Sequence, residues 1–175
     1  YKIASFELTD LDLIRYAASK QKPLLISTGM GSENEIYEAL ETAKSVGCKD
    51  ILLFHCISSY PAPTEHSNLK MIKKLRDHFK VEVGLSDHTK DNIASISAVS
   101  LGAVAIEKHF ILDRRNKGPD SSFSIEPNEL NNLFKDLNTV KIAHGMDDFT
   151  RSAVESKSKV FRRSLYFVNN LKTGQ

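Results

Sequence analysis

The sequence predicts a parallel α/β fold, and three observations carry that prediction. Five short apolar segments recur, at Lys2–Ser5, Pro23–Thr28, Ile51–Cys56, Val81–Ser86 and Ala103–Phe110. Stretches with helical spacing separate them, and strand–helix alternation is the pattern of a parallel sheet with crossover helices. The segments are apolar almost throughout and rich in Ile, Leu and Val, as strands buried on both faces must be.

Local signals justify the elements in turn. Ser32 and Glu35 form a capping-box pattern; Ile36, Leu40, Ala43 and Val46 then keep helical spacing, and Gly47 supplies a C-terminal stop. Leu69, Ile72, Leu75 and Phe79 make a second helical stripe. Pro127 sits where a helix would start, and Leu130, Leu133, Phe134 and Leu137 carry it towards Gly145. Five strand–helix units make an incomplete barrel, because a closed eight-stranded one needs about 200–250 residues. Beyond Gly145 the character changes. Asp147 to Lys159 is polar and without apolar periodicity, which reads as a linker, and Ser164–Val168 then resembles a new strand. The expected division is 1–145, a linker over 146–163, and the start of a further domain at 164–175.

Composition excludes several classes. Of 175 residues, 41% are hydrophobic and 26% charged, which is the balance of a globular domain. The 24 basic and 22 acidic residues are interspersed, so no stripe suits nucleic acid or a membrane surface. No apolar run approaches the roughly 18–20 residues of a transmembrane helix. Cys48 and Cys56 lack metal-ligand spacing, and Cys56 reads as a small core hydrophobe, a usage that fits a reducing cytoplasm. The start at Tyr1-Lys2-Ile3 reads as the middle of a strand, which suggests a piece of a longer protein.

The strand ends carry the chemistry. Polar groups gather at each C-terminal tip: Ser5-Phe6-Glu7, Ser27-Thr28-Gly29, His55-Cys56, Ser86-Asp87-His88 and Lys108-His109. That edge is where parallel sheets and barrels build their sites. His88 and His109 end neighbouring strands, about 5 Å apart in a sheet. They are either ligands converging on one divalent ion or two hydrogen-bonded histidines near the surface. Alternation puts Ser86 on a face with His88 and Glu107 on a face with His109, with Asp87 pointing away. By the same rule Ser5 and Glu7 share a face, and Lys2 falls on the other one unless a bulge intervenes. Tyr60-Pro61-Ala62-Pro63 is a stiff loop able to hold Ser58, Ser59 and Tyr60 over a pocket. The loop Gly118–Phe123 follows the last strand and makes Asp120 a candidate acid, base or hydroxyl-binding group. His66, His78 and His144 are assigned to helices or their ends, and His55 to the core.

Taken in order, these blocks resemble the sialic acid synthase family: Lys2-Ile3-Ala4-Ser5-Phe6-Glu7, Ile26-Ser27-Thr28-Gly29-Met30, His55-Cys56-Ile57-Ser58-Ser59-Tyr60-Pro61, Gly84-Leu85-Ser86-Asp87-His88-Thr89, Glu107-Lys108-His109-Phe110 and Gly118-Pro119-Asp120. The resemblance implies a TIM barrel of which about five C-terminal units are present. Arg163-Ser164-Leu165-Tyr166 looks like the start of that family's C-terminal antifreeze-like domain. It implies a divalent metal held by His88 and His109, usually Mn2+ with Mg2+ or Co2+ as alternatives. It also implies phosphoenolpyruvate contacts from Lys2, Ser5, Ser27 and Ser86, with Glu7, Tyr60 and Asp120 around the sugar and the reacting carbons. The implied reaction condenses phosphoenolpyruvate with an N-acetylated amino sugar to a nine-carbon 2-keto acid and phosphate, in a cytoplasmic protein that is a homodimer when full length. Glu7 and Asp120 are its candidates for proton handling.

Two departures refine this expectation. Sialic acid members carry asparagine where this chain has Ser58, and Asp120-Ser121-Ser122-Phe123-Ser124 looks more like the pseudaminic acid synthases, which use a 2,4-diacetamido-trideoxy sugar. Ser58 and Phe123 therefore join the substrate-binding candidates. N-acetylneuraminate and legionaminic acid synthases are the alternative members. A barrel metal hydrolase and an inactive binding module are readings of other classes. The second departure is length. Without its first three strands the chain alone is expected to self-associate or be marginally stable, with no synthase activity.

Overall fold

The computed structural model describes residues 1–149 and 152–174. Five strands, β1 (Lys2–Ile3), β2 (Leu24–Ser27), β3 (Ile51–Cys56), β4 (Glu82–Asp87) and β5 (Ile106–Lys108), form one parallel sheet. Their order is sequential, β1-β2-β3-β4-β5. A doubly wound sheet reverses order at a switch point, whereas a barrel adds each strand beside the one before. The sheet is therefore five successive units of a (β/α) barrel. β3 coincides with its apolar segment and β4 is displaced from its own by one residue, whereas β1, β2 and β5 are shorter than the segments that signal them. The last one shrinks most, from Ala103–Phe110 to Ile106–Lys108, with a separate bridge between Phe110 and Ile125.

Helices α1 (Leu11–Ala18), α2 (Glu33–Ser45), α3 (Lys70–Phe79) and α4 (Ile93–Ser100) are the crossovers, and α5 (Pro127–His144) follows β5. The capping box on α2 forms in both halves: Glu35 N donates to Ser32 Oγ (3.3 Å), and Ser32 N donates to Glu35 Oε2 (2.7 Å). Asp10 caps α1 by accepting from Leu13 N at 3.0 Å. Ile3, Ile26, Leu53 and Val83 occupy one register row and are buried on the helix side of the sheet, in a core shared with Ile14, Leu40 and Ile72. Burial of each such side chain contributes about 1.5–3 kcal/mol. On the opposite face Gly84 lies beside Phe54, and a Cβ there would sit 2.7 Å from the Phe54 ring and 2.6 Å from the Ala105 carbonyl oxygen. Glycine lets that ring lie flat on the sheet.

Contacts divide the chain at the end of α5 into Tyr1–His144 and Gly145–Gln175. The second unit holds α6 (Ala153–Ser156) and a 3-10 turn at Lys157–Phe161, so the expected linker is partly helical. The expected strand at Ser164–Val168 does not form. Its residues are irregular and exposed, because a β-prone run is stable only against a partner and none is present among the described residues. Thr150, Arg151 and Gln175, within the expected linker and antifreeze-like segment, lie outside the described residues.

His55 sits in the buried layer as expected, with Nε2 2.8 Å from the Ser67 carbonyl oxygen. Burial pushes its pKa down, against the opposing pull of that carbonyl. A depressed imidazole contributes stability that is fully present above the unfolded value of about 6.5 and is lost as pH falls below it. The urea midpoint should therefore drop between pH 7.5 and 5.5. His55→Gln keeps a donor for Ser67 without titrating, and should lose less over the same interval; equal losses would refute the assignment.

Candidate functional site

The strand tips converge on a cavity of about 360 Å3 at the C-terminal edge of the sheet. On one side, Lys2 Nζ donates to Ser27 Oγ at 2.8 Å and lies 3.4 Å from Glu107 Oε1. Ser5 and Ser27 are buried beside it. Simple alternation separates Lys2 from Ser5, yet both line the cavity. The strand ends at Ile3 and the chain turns into a 3-10 helix at Ser5–Glu7, so the twofold alternation stops before it reaches Ser5. Lys2 lies on the face opposite Ile3, and its long side chain climbs that face to Ser27. The same turn sends Glu7 elsewhere. Its carboxylate accepts from Ala4 N at 2.7 Å, and Glu7 is not among the cavity-lining residues.

Gly29 makes the tip of β2 possible. Its φ is +46°, and a Cβ there would lie 2.3 Å from Ser5 Cβ and 2.7 Å from Ser58 Oγ. Ser58 Oγ donates to Ser5 Oγ at 3.0 Å, so Ser58 supports the cavity wall from behind.

His88 and His109 stand opposite, with ring centroids 5.4 Å apart. His88 Nδ1 lies 2.8 Å from the Ile57 carbonyl oxygen, which fixes the proton on Nδ1 and turns the Nε2 lone pair inward. Ser86 Oγ is 3.2 Å from that Nε2, but it donates its single proton over the shorter path to Glu107 Oε1 at 2.7 Å. Burial, and then the neighbouring His109, hold His88 below the usual histidine range, so the ring is neutral at neutral pH. His109 Nδ1 is 3.5 Å from Asp120 Oδ2. Among the described residues no group of three or more His, Cys, Asp or Glu is placed to hold a metal ion. Two imidazoles lining one cavity nevertheless fit a divalent ion that takes its other ligands from water and substrate.

Tyr60 covers the histidines, its ring centroid 4.3 Å from His88 and 5.8 Å from His109. Its loop is tied down where Ala62 N donates to the His88 carbonyl at 2.9 Å. Burial raises both the Tyr60 phenol and the Cys56 thiol, so each stays neutral. Phe123 is buried against His109 (5.0 Å) and Tyr60 (6.0 Å). Ser121 does not face the cavity; its hydroxyl accepts from Gly118 N (2.6 Å) and donates to the Asn116 carbonyl (2.9 Å). This whole loop is anchored by Arg114, whose backbone N donates to Glu126 Oε1 (2.7 Å), Nε to the Ser124 carbonyl (3.0 Å) and Nη1 to Glu129 (2.9 Å).

Three cavity-lining residues, Ala4, Cys56 and Glu107, were not among the candidates, and two of them carry polar side-chain atoms. Glu107 was legible, since it lies two residues before His109 on one strand face. Cys56 was read as core; it is buried and also lines the cavity floor, a dual position that alternation alone does not distinguish.

A sequential parallel sheet with a polar, histidine-bearing cavity at its C-terminal edge defines a barrel-type α/β domain with a candidate active site. The NeuB family matches residues 1–148, and the chain belongs to that family. It is similar to a pseudaminic acid synthase of Helicobacter pylori, 39% identical over 177 residues, covering 100% of this chain and 52% of that protein. An N,N'-diacetyllegionaminic acid synthase of Campylobacter jejuni is 41% identical over 180 residues, covering 100% and 53%. The solved N-acetylneuraminic acid (sialic acid) synthetase of Leptospira borgpetersenii, in complex with citrate, aligns with a TM-score of 0.84 at 33% identity, covering 94% of this chain and 57% of that one. The chain thus spans about half the length of the curated relatives it matches.

Proposed function

We propose that this chain forms the catalytic part of a sialic-acid-type synthase that joins phosphoenolpyruvate to an N-acetylated amino sugar. The observation that carries this reading is the convergence of an ammonium and three hydroxyls, from Lys2, Ser5, Ser27 and Ser86, with two inward-facing imidazoles in one cavity. The ammonium and hydroxyls suit the phosphate and carboxylate of phosphoenolpyruvate. His88 and His109 would hold the divalent ion, with manganese the metal proposed from the family resemblance, and when bound it would supply Lewis-acid polarisation of the sugar aldehyde.

The third carbon of phosphoenolpyruvate attacks the aldehyde carbon, and a carbon–carbon bond forms while the aldehyde oxygen takes a proton. Positive charge left at the second carbon is met by water. That water adds to the second carbon and gives up both its protons, one balancing the proton taken by the aldehyde oxygen and one leaving on phosphate. The bond from the second carbon to the phosphate oxygen breaks, and the 2-keto acid is left behind. Glu107 and Asp120 are the carboxylates at the cavity, and they are the groups in reach to move these protons. Glu107, held by Ser86 and Lys2, takes the role in this proposal that the sequence offered to Glu7. Within the family, the diacetamido-trideoxy sugar of the pseudaminic type is the proposed substrate. Phosphate release from phosphoenolpyruvate, measured on protein of the relatives' full length with Mn2+ and an amino-sugar panel, tests the reading. Release that does not depend on a sugar would overturn it.

A further inference from the structure

The motif blocks around the site contain two residues that the cavity does not use. Asp87 and Lys108 end β4 and β5, pair in register, and point to the helix side of the sheet. Their side chains are 1% and 3% exposed. Lys108 Nζ donates to Asp87 Oδ2 (2.9 Å), the Thr89 carbonyl (2.8 Å) and the Asp91 carbonyl (2.9 Å), which satisfies all three of its protons. Asp87 Oδ1 accepts from Thr89 N (2.8 Å) and Thr89 Oγ1 (2.7 Å), and Oδ2 accepts from Ser95 Oγ (2.6 Å). An ion pair so deeply buried persists only when every lone pair and proton is matched, as here.

Each member immediately precedes a cavity histidine. Because successive residues on a strand face opposite ways, fixing Asp87 against Lys108 on one side sets the spacing of His88 and His109 on the other. The Lys108 contacts to Thr89 and Asp91 also hold the chain that leaves His88. We propose that Asp87 and Lys108 are positioning residues: their buried ion pair staples the two histidine-bearing strand tips together and so sets the affinity of the imidazole pair for a divalent cation. This rests on the reading of His88 and His109 as ligands. Groups that orient ligands from behind typically change metal affinity by about 10–100-fold when removed.

The test titrates Mn2+ alone, by the electron paramagnetic resonance signal of the free ion, into protein of the relatives' full length. Wild type is compared with Lys108→Met, with Asp87→Asn, and with the double variant D87N/K108M, in which no buried charge is left unpaired. Positioning predicts a Kd weakened about 10–100-fold in Lys108→Met and the double variant. A merely structural role would instead reduce the number of Mn2+ sites, through loss of folded protein, at unchanged Kd. Unchanged Kd in the variants overturns the proposal while leaving the ligand assignment intact. If wild type binds no Mn2+, the ligand assignment fails, and the imidazole resonances of His88 and His109 then decide the positioning. Resonances unmoved in the double variant would overturn that too. Should Lys108→Met not fold, Asp87→Asn, which keeps the shape and most hydrogen bonds, carries the same comparison.

Discussion

Replacing either His88 or His109 by alanine should lower turnover about a thousandfold or more, in protein of the relatives' full length supplied with Mn2+. Lewis-acid polarisation of a carbonyl supplies several kcal/mol, and each 1.36 kcal/mol is a factor of ten in rate. Phosphoenolpyruvate binding should survive in both variants. The ammonium of Lys2 and the hydroxyls of Ser5 and Ser27 lie on the other side of the cavity and do not touch the imidazoles. Steady-state phosphate release in chelator-treated buffer, with metal added back, measures the first effect; calorimetric titration with phosphoenolpyruvate measures the second. Near-wild-type turnover in both variants would mean that the imidazoles only pack against Tyr60 and Phe123.

The second large effect is the choice of sugar. A 2,4-diacetamido-trideoxy sugar should be used in preference to N-acetylmannosamine by about 10–100-fold or more in kcat/KM. The aromatic wall made by Tyr60, backed by buried Phe123, offers an apolar surface that suits a methyl group. N-acetylmannosamine carries a hydroxyl at the corresponding carbon, and burying a hydroxyl without a partner costs about 1–3 kcal/mol. Competition of the two sugars in one reaction, with both nine-carbon products resolved by chromatography, gives the ratio directly. A ratio of one or below would remove the pseudaminic-type assignment.

The fold was legible because the barrel pattern is written twice, in apolar strands buried on both faces and in helices with explicit caps. The capping box at Ser32 and Glu35 is an example: the residues that announce α2 are the ones that satisfy its first N–H groups. Helix α4 was less legible. Its sequence is mostly Ala, Ser, Ile and Val, small or branched residues that mark no clear stripe. The candidate site was legible where strand periodicity governs it, as for Ser86 with His88 and Glu107 with His109. It failed where the chain leaves the strand. Ser5 is brought inward and Glu7 outward by a turn of 3-10 helix, which no twofold rule describes. The expected strand at 164–168 failed for the opposite reason, since its composition is suitable but pairing requires a second segment.

Among the described residues each strand pairs only with its immediate predecessor and successor in the chain. Contacts that are local in sequence cost little loop entropy to close, so such a sheet can grow in step with synthesis from the ribosome. The cavity is then completed from its N-terminal side. Lys2 and Ser27 emerge first, Ser86 and His88 follow, and His109 with the Asp120 loop arrives last. His109 follows β5, so a nascent chain arrested before Ile106 would carry the hydroxyl and ammonium wall but only one of the two imidazoles.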